Sequence, residues 1–101
     1  MEFNAKSIII SRKKIVRYEN YNCIISLFDV NEPHKGAKEP FNILEYEDVQ
    51  KVMIKMLNIE YLLFGSDIMI DNLKKVKIEQ KGKHLIISGD GKSSKTENLP
   101  I

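Results

Sequence analysis

Tryptophan is absent from this chain, and cysteine and arginine are nearly so: Cys23 stands alone, and Arg12 and Arg17 are the two arginines. Each scarcity excludes something. A lone cysteine cannot close an internal disulfide, so nothing points to a secreted disulfide scaffold. Two arginines leave the chain poor in the side chain that grips phosphate and guanine bidentately. No run reaches the roughly 18 apolar residues that a membrane-spanning helix requires. The start, MEFNAKSIII, has an acid at its second position and no small-residue cleavage site, which argues against a signal peptide. A cytoplasmic location is the resulting expectation. The net charge of +2 is too small by itself to imply a polyanionic partner. Alanine is scarce while Ile, Lys and Asn abound, a composition that resembles AT-rich coding in bacteria and their mobile elements.

What is present is ordinary globular material. With 101 residues, 43% hydrophobic and 30% charged, the chain can build one domain with a modest core. No internal repeat and no second domain is visible. The expected division is a compact unit over residues 1–90 and a flexible polar tail over 91–101, where Gly, Ser and Lys dominate.

Residues 42–58 carry the clearest periodic signal. Val49, Val52, Met53, Met56 and Leu57 recur at steps of three and four, which places them on one side of a helix. Glu45, Asp48, Lys51, Lys55 and Asn58 take the other side. Asn42 with Glu45 three residues on resembles a capping box, and Pro40 blocks an earlier start. Acids lead and lysines follow, as a helix dipole favours. The spacing therefore predicts a helix.

Around it the chain reads as strands. Residues 5–11 place Ile8 and Ile10 on one face. Arg12, Lys13 and Lys14 interrupt the apolar run, which predicts a turn there and a resumed strand over 15–18. Residues 23–30 place Cys23, Ile25 and Leu27 on one face of a strand apolar on both sides. Residues 59–64 and 68–70 give two short buried strands. Residues 75–80 alternate strictly, with Val76 and Ile78 inward, and return through Lys81-Gly82 into residues 83–88 as a hairpin. Between strand and helix lies one long loop, 31–40, with two prolines and a glycine. One helix cannot cover both faces of so many strands. The predicted fold class is α+β, one main amphipathic helix packed on a mostly antiparallel sheet of five or six strands.

Chemistry is thin. Gly89-Asp90-Gly91-Lys92-Ser93 ends like a phosphate loop, but Ile86 stands where the first glycine belongs and no helix follows. Cys23 has no histidine placed beside it by the sequence, and a free cysteine opening an apolar strand is ordinarily inert packing. Glu32, His34 and Glu39 are too few and too loosely spaced to specify a metal. Asp67 and Asp71 share a strand face, where turn-making is the commoner role of such a pair. No cofactor is expected, and no enzymatic activity.

Two binding readings remain. Arg12, Lys13 and Lys14 crowd one predicted hairpin, and Lys75, Lys77, Lys81 and Lys83 crowd another, as a phosphate-tracking face would. The second hairpin has no aromatic residue for base stacking, which weakens the nucleic-acid reading. The leading expectation is a small non-catalytic module that binds and blocks another protein, of the toxin-immunity or phage-inhibitor type. It would offer the 31–40 loop, with Glu32, His34, Lys35 and Glu39, and secondarily Asp67 and Asp71. A homodimer through the predicted helix or an edge strand is a further expectation.

Overall fold

A period of two governs the folded chain. The computed structural model describes residues 1–14, 20–36, 38–56, 59–62, 67–90 and 96–99. They form β1 (Glu2–Phe3), β2 (Ser7–Lys14), β3 (Tyr21–Phe28), a 3-10 turn (Pro33–Lys35), β4 (Asn42–Val49), β5 (Lys51–Met56), β6 (Ile59–Leu62), β7 (Asp67–Ile70), β8 (Lys75–Lys81), β9 (His84–Asp90) and β10 (Thr96–Leu99). The strands make two five-stranded sheets. The first has the order β1-β8-β9-β5-β6 and the second β10-β7-β2-β3-β4. All pairs are antiparallel except β5 with β9.

The inward rows of the two sheets share one core. Ile8 and Ile10 of β2, Cys23, Ile25 and Leu27 of β3, and Ile68 and Ile70 of β7 supply the second sheet's side. Val52 and Ile54 of β5, Val76 and Ile78 of β8, and Leu85 and Ile87 of β9 supply the first sheet's side. Each such side chain contributes roughly 1.5–3 kcal/mol when taken from water. The β-branched residues among them fit a pleated surface with little loss of rotamer freedom. The architecture is a two-layer β-sandwich.

This corrects the α+β expectation. The described residues contain no α-helix, and the segment expected to be the main helix is, over its described residues 42–56, β4 and β5 with Gln50 between them; residues 57 and 58 lie outside the described ones. Leu44 and Tyr46 turn partly inward while Ile43, Glu45 and Glu47 face out. Val52 and Ile54 are buried between exposed Lys51, half-buried Met53 and exposed Lys55. At the join the phase slips. Tyr21 stands opposite Val49 and Cys23 opposite Tyr46, so Glu47 and Asp48 together face Asn22. That extra residue is a β-bulge. Asp48 takes up the slip with a left-handed backbone, φ 57°, and Val49 is returned to the core. The inward residues 44, 46, 49, 52 and 54 thus acquire steps of three at the corner, which imitate a helical stripe.

The bulge is also where the sheets are tied together. The Asp48 carboxylate accepts a hydrogen bond from Asn20 Nδ2 at 2.6 Å and pairs with Lys83 Nζ at 3.2 Å. Its backbone N–H donates to Asn22 Oδ1 at 3.3 Å. Lys83 occupies the β8–β9 turn beside Gly82, whose φ of 60° is a conformation that glycine adopts without strain. The Gln50 N–H donates to the Lys83 carbonyl at 2.8 Å. So the turn of a first-sheet hairpin is fixed to the corner at which the chain leaves the second sheet.

The hairpin over 75–88 is present as β8 and β9, with Val76 and Ile78 buried. Arg12, Lys13 and Lys14 do not turn; they continue β2 to its end. The strand expected over 15–18 lies outside the described residues. Of the polar tail, 91–95 and 100–101 also lie outside them, while Thr96–Leu99 run antiparallel to β7. A helix-mediated dimer loses its basis, because Ile54 lies in the core and Met53 lies half-buried on the outer side of β5. Among the described residues no helix is long and apolar enough to cross a membrane.

Candidate protein-binding surface

The start of the 31–40 loop is clamped to the turn after β7. The Ser7 hydroxyl, fully buried, donates to the Val30 carbonyl. The Asn72 N–H donates to Asn31 Oδ1 at 3.0 Å. The Glu32 N–H donates to Asp71 Oδ1 at 3.2 Å. Two left-handed residues, Glu32 with φ 50° and Asn72 with φ 60°, face each other across this clamp. Asn tolerates that region; Glu does so at a cost of about 1–2 kcal/mol, which the clamp must offset.

Beyond the clamp the chain makes its 3-10 turn. The N–H of Lys35 donates to the Glu32 carbonyl at 3.1 Å, and that of Lys38 to the Pro33 carbonyl at 3.3 Å. Pro33 is buried. Lys35 Nζ pairs with Glu32 Oε1 at 3.2 Å on the surface, a contact worth no more than about 1 kcal/mol. Lys38 and Glu39 are exposed, and then come Phe41, 50% exposed, and Ile43, 54% exposed. Both belong to the lead-in and first residues of β4. That strand closes the second sheet and pairs with β3 alone. Its outer backbone edge is open among the described residues.

The expected site residues are therefore only partly brought together. Glu32, Lys35 and Glu39 share the loop. Asp71 joins them, but as a buried residue whose carboxylate accepts from the loop's backbone. Asp67 begins β7 and Asp71 follows its end; at a rise of about 3.3 Å per residue they stand about 13 Å apart. The His34 side chain lies outside the described residues. Phe41, Ile43, Glu45 and Glu47 are not among the expected site residues: a helix over 42–58 absorbs the last three, and Phe41 carries no signal of its own. Reading 42–47 with a period of two would have put Ile43 on the face of Glu45 and Glu47, an apolar residue heading a polar row.

Electrostatics divides the basic residues. Lys75, Lys77 and Lys81 line the outer side of β8, and exposed Lys51 and Lys55 stand on β5 of the same sheet, with β9 between the two strands. Lys77 pairs with Glu79 at 2.8 Å, and Lys83 is held by Asp48. Arg12 and Lys13 belong to the other sheet. Arg12 follows Ile8 and Ile10 in phase, lies half-buried, and places its guanidinium 4.3 Å from the centre of the Tyr21 ring. Burial lowers its pKa, with the neighbouring Tyr21 and Cys23 opposing that shift. Lys13 points the other way and is exposed; the Lys14 side chain lies outside the described residues. The two clusters do not form one track.

Cys23 is fully buried, and burial pushes its thiol up to about 12. It is protonated at neutral pH and packs as a small apolar group. Beside the bulge a hollow of about 210 Å³ opens, lined by Lys13, Asn22, Ile24, Glu45 and Glu47 among others.

Compared with protein-family models, with curated proteins and with solved structures, the chain gives no match.

Proposed function

We propose that this protein is a small cytoplasmic module that binds another protein and blocks it sterically, in the manner of toxin-immunity proteins and phage-encoded inhibitors, with no catalysis of its own. One observation carries the reading: a loop clamped by Asp71 and Asn72 leads directly into an open strand edge that bears two exposed large apolar side chains, Phe41 and Ile43. Exposed strand edges are ordinarily shortened, covered, bulged or charged; this one is charged and bulged over residues 45–48 but apolar at Phe41 and Ile43. A loop fixed at its start loses less entropy on docking than a free one, and apolar anchors with a charged rim are the usual anatomy of a specific interface. Glu32, Lys35 and Glu39 would form that rim.

Capture from lysate of the native host, treated with nuclease and washed at moderate salt, tests this. The wild type should retain one stoichiometric protein. Phe41→Asp, and separately a deletion of residues 34–38, should release it while the melting temperature stays near that of the wild type. Retention by both variants would refute the mechanism. A diffuse set of proteins that disappears with nuclease would favour the alternative, in which the outer lysines of the first sheet, Lys75, Lys77 and Lys81 with Lys51 and Lys55, follow a nucleic-acid backbone.

A further inference from the structure

The β4 edge carries its own description of what can lie against it. From Phe41 to Asp48 the outward residues run from apolar to acidic: Phe41, Ile43, Glu45, Glu47 and Asp48 are all exposed. Asp48 is neutralised by Lys83. Glu45 and Glu47 make no ion pair among the described residues. They flank the hollow of about 210 Å³ at the bulge, which Lys13 also lines from β2 without pairing to either acid, and which has room for the end of a long side chain. A second copy of this chain is a poor occupant. Antiparallel pairing of β4 with itself at the registers of fullest overlap would set Glu45 against Glu45 or Glu47, and like charges facing across a ladder are destabilising.

We infer that β4 accepts an extended, lysine- or arginine-bearing segment of the partner as an added strand, with an apolar residue against Phe41 and Ile43 and basic residues at alternate positions against Glu45 and Glu47. This rests on the interaction-module reading and specifies the partner's chemistry. Backbone hydrogen bonds along the edge supply attraction without regard to sequence, and the side chains on one face supply selectivity. The two-residue period of a strand sets basic side chains at every second position, matching the spacing of Glu45 and Glu47.

The test uses a capped peptide about as long as β4 itself, with two lysines and then two valines at alternate positions and threonine between them, and its counterpart with glutamate in place of lysine. Each is titrated at low salt into the full ¹⁵N-labelled chain. The lysine peptide should shift amide signals in 41–49 and leave those of Lys75–Lys81 unmoved, and the glutamate peptide should be silent. Glu45→Lys with Glu47→Lys should weaken the lysine peptide at least about tenfold and admit the glutamate peptide, since rim charges govern selectivity and salt dependence. The inference is overturned if the lysine peptide gives no localised shift at about 1 mM, a concentration that reveals even weak binding. It is overturned equally if both peptides act alike, or if a doubled mass with β4 broadening shows a second copy on the edge. A captured partner lost by Phe41→Asp but kept by Glu45→Lys with Glu47→Lys would overturn this inference and leave the module reading intact. Absence of any captured partner would sink the module reading, whatever the peptides do.

Discussion

Asp71 holds the loop, and removing its carboxylate should free it. The perturbation is Asp71→Ala, with Asp71→Asn as the graded control. Asp71 is 2% exposed, and its carboxylate accepts the Glu32 N–H from a point 39 residues away in sequence, at 3.2 Å. Hydrogen bonds to charged groups contribute about 1.5–3 kcal/mol, and a length at the far limit of the normal range selects the lower part, about 1.5–2 kcal/mol. Asparagine keeps an acceptor oxygen but not the charge, so it should lose about half of that. In a domain of this size 1 kcal/mol moves the midpoint by about 4–8 °C, so Asp71→Ala should melt about 6–16 °C lower, with Asp71→Asn between it and the wild type. Circular dichroism gives the midpoints, and hydrogen exchange at the Glu32 amide reports the clamp locally. That amide should exchange at least about tenfold faster in Asp71→Ala, because an opening that is easier by about 1.4 kcal/mol is ten times more populated. Were both variants to melt within about 0.5 kcal/mol of the wild type, with Glu32 exchange unchanged, the clamp would not be holding the loop.

Ile54 and Ile43 separate the sandwich from any helical arrangement of the same segment: Ile54→Ala should cost about 2–5 kcal/mol in urea unfolding, and Ile43→Ala within about 0.5 kcal/mol of nothing. Hydrogen bonds from Asn20 and Lys83 hold the Asp48 carboxyl below its usual 3.8, so it contributes stability above that value and loses it as pH falls through the lower folded value. Thermal melts from about pH 6 to about pH 2 should therefore show wild type and Asp48→Asn converging at the acid end, and parallel curves would refute the tie. The Cys23 thiol, buried and pushed up to about 12, should resist alkylation at neutral pH until the chain unfolds in denaturant. Rapid labelling of the native protein would contradict that placement.

Much of the sheet structure was legible one strand at a time. Ile8 with Ile10, the row Cys23, Ile25 and Leu27, and the pair Val76 and Ile78 alternate plainly, and all are buried as their spacing implies. The segment 42–58 misled for an identifiable reason. Two strands joined through a bulge put inward residues three apart at 46, 49 and 52, and a three-residue step belongs to a helix as readily as to a corner. The β-branched Val49, Val52 and Ile54 spoke for strand, but acidic residues followed by lysines outweighed them in a local reading. What decides the matter is distant. β5 lies between β9 and β6, and its parallel partner β9 begins at His84; no short window contains that pairing. In the loop, Glu32 and Asp71 were each visible as polar residues beside turns. Their meeting across the two turns, and the role of Asp71 as a backbone acceptor, follow from topology. Ile43 was hidden by the same helical reading, and Phe41, just before it, carried no signal; the exposure of both depends on β4 being the last strand of its sheet.

Hydrogen exchange, followed by mass spectrometry, on the protein alone and in complex with the protein it captures from nuclease-treated lysate locates the binding surface most directly. Binding through the loop and the β4 edge predicts new protection over residues 31–49, with Lys75–Lys81 exchanging as before. Protection concentrated on Lys75–Lys81 and Lys51–Met56, with 31–49 unchanged, would contradict the account and move the binding surface to the lysine-bearing face of the first sheet.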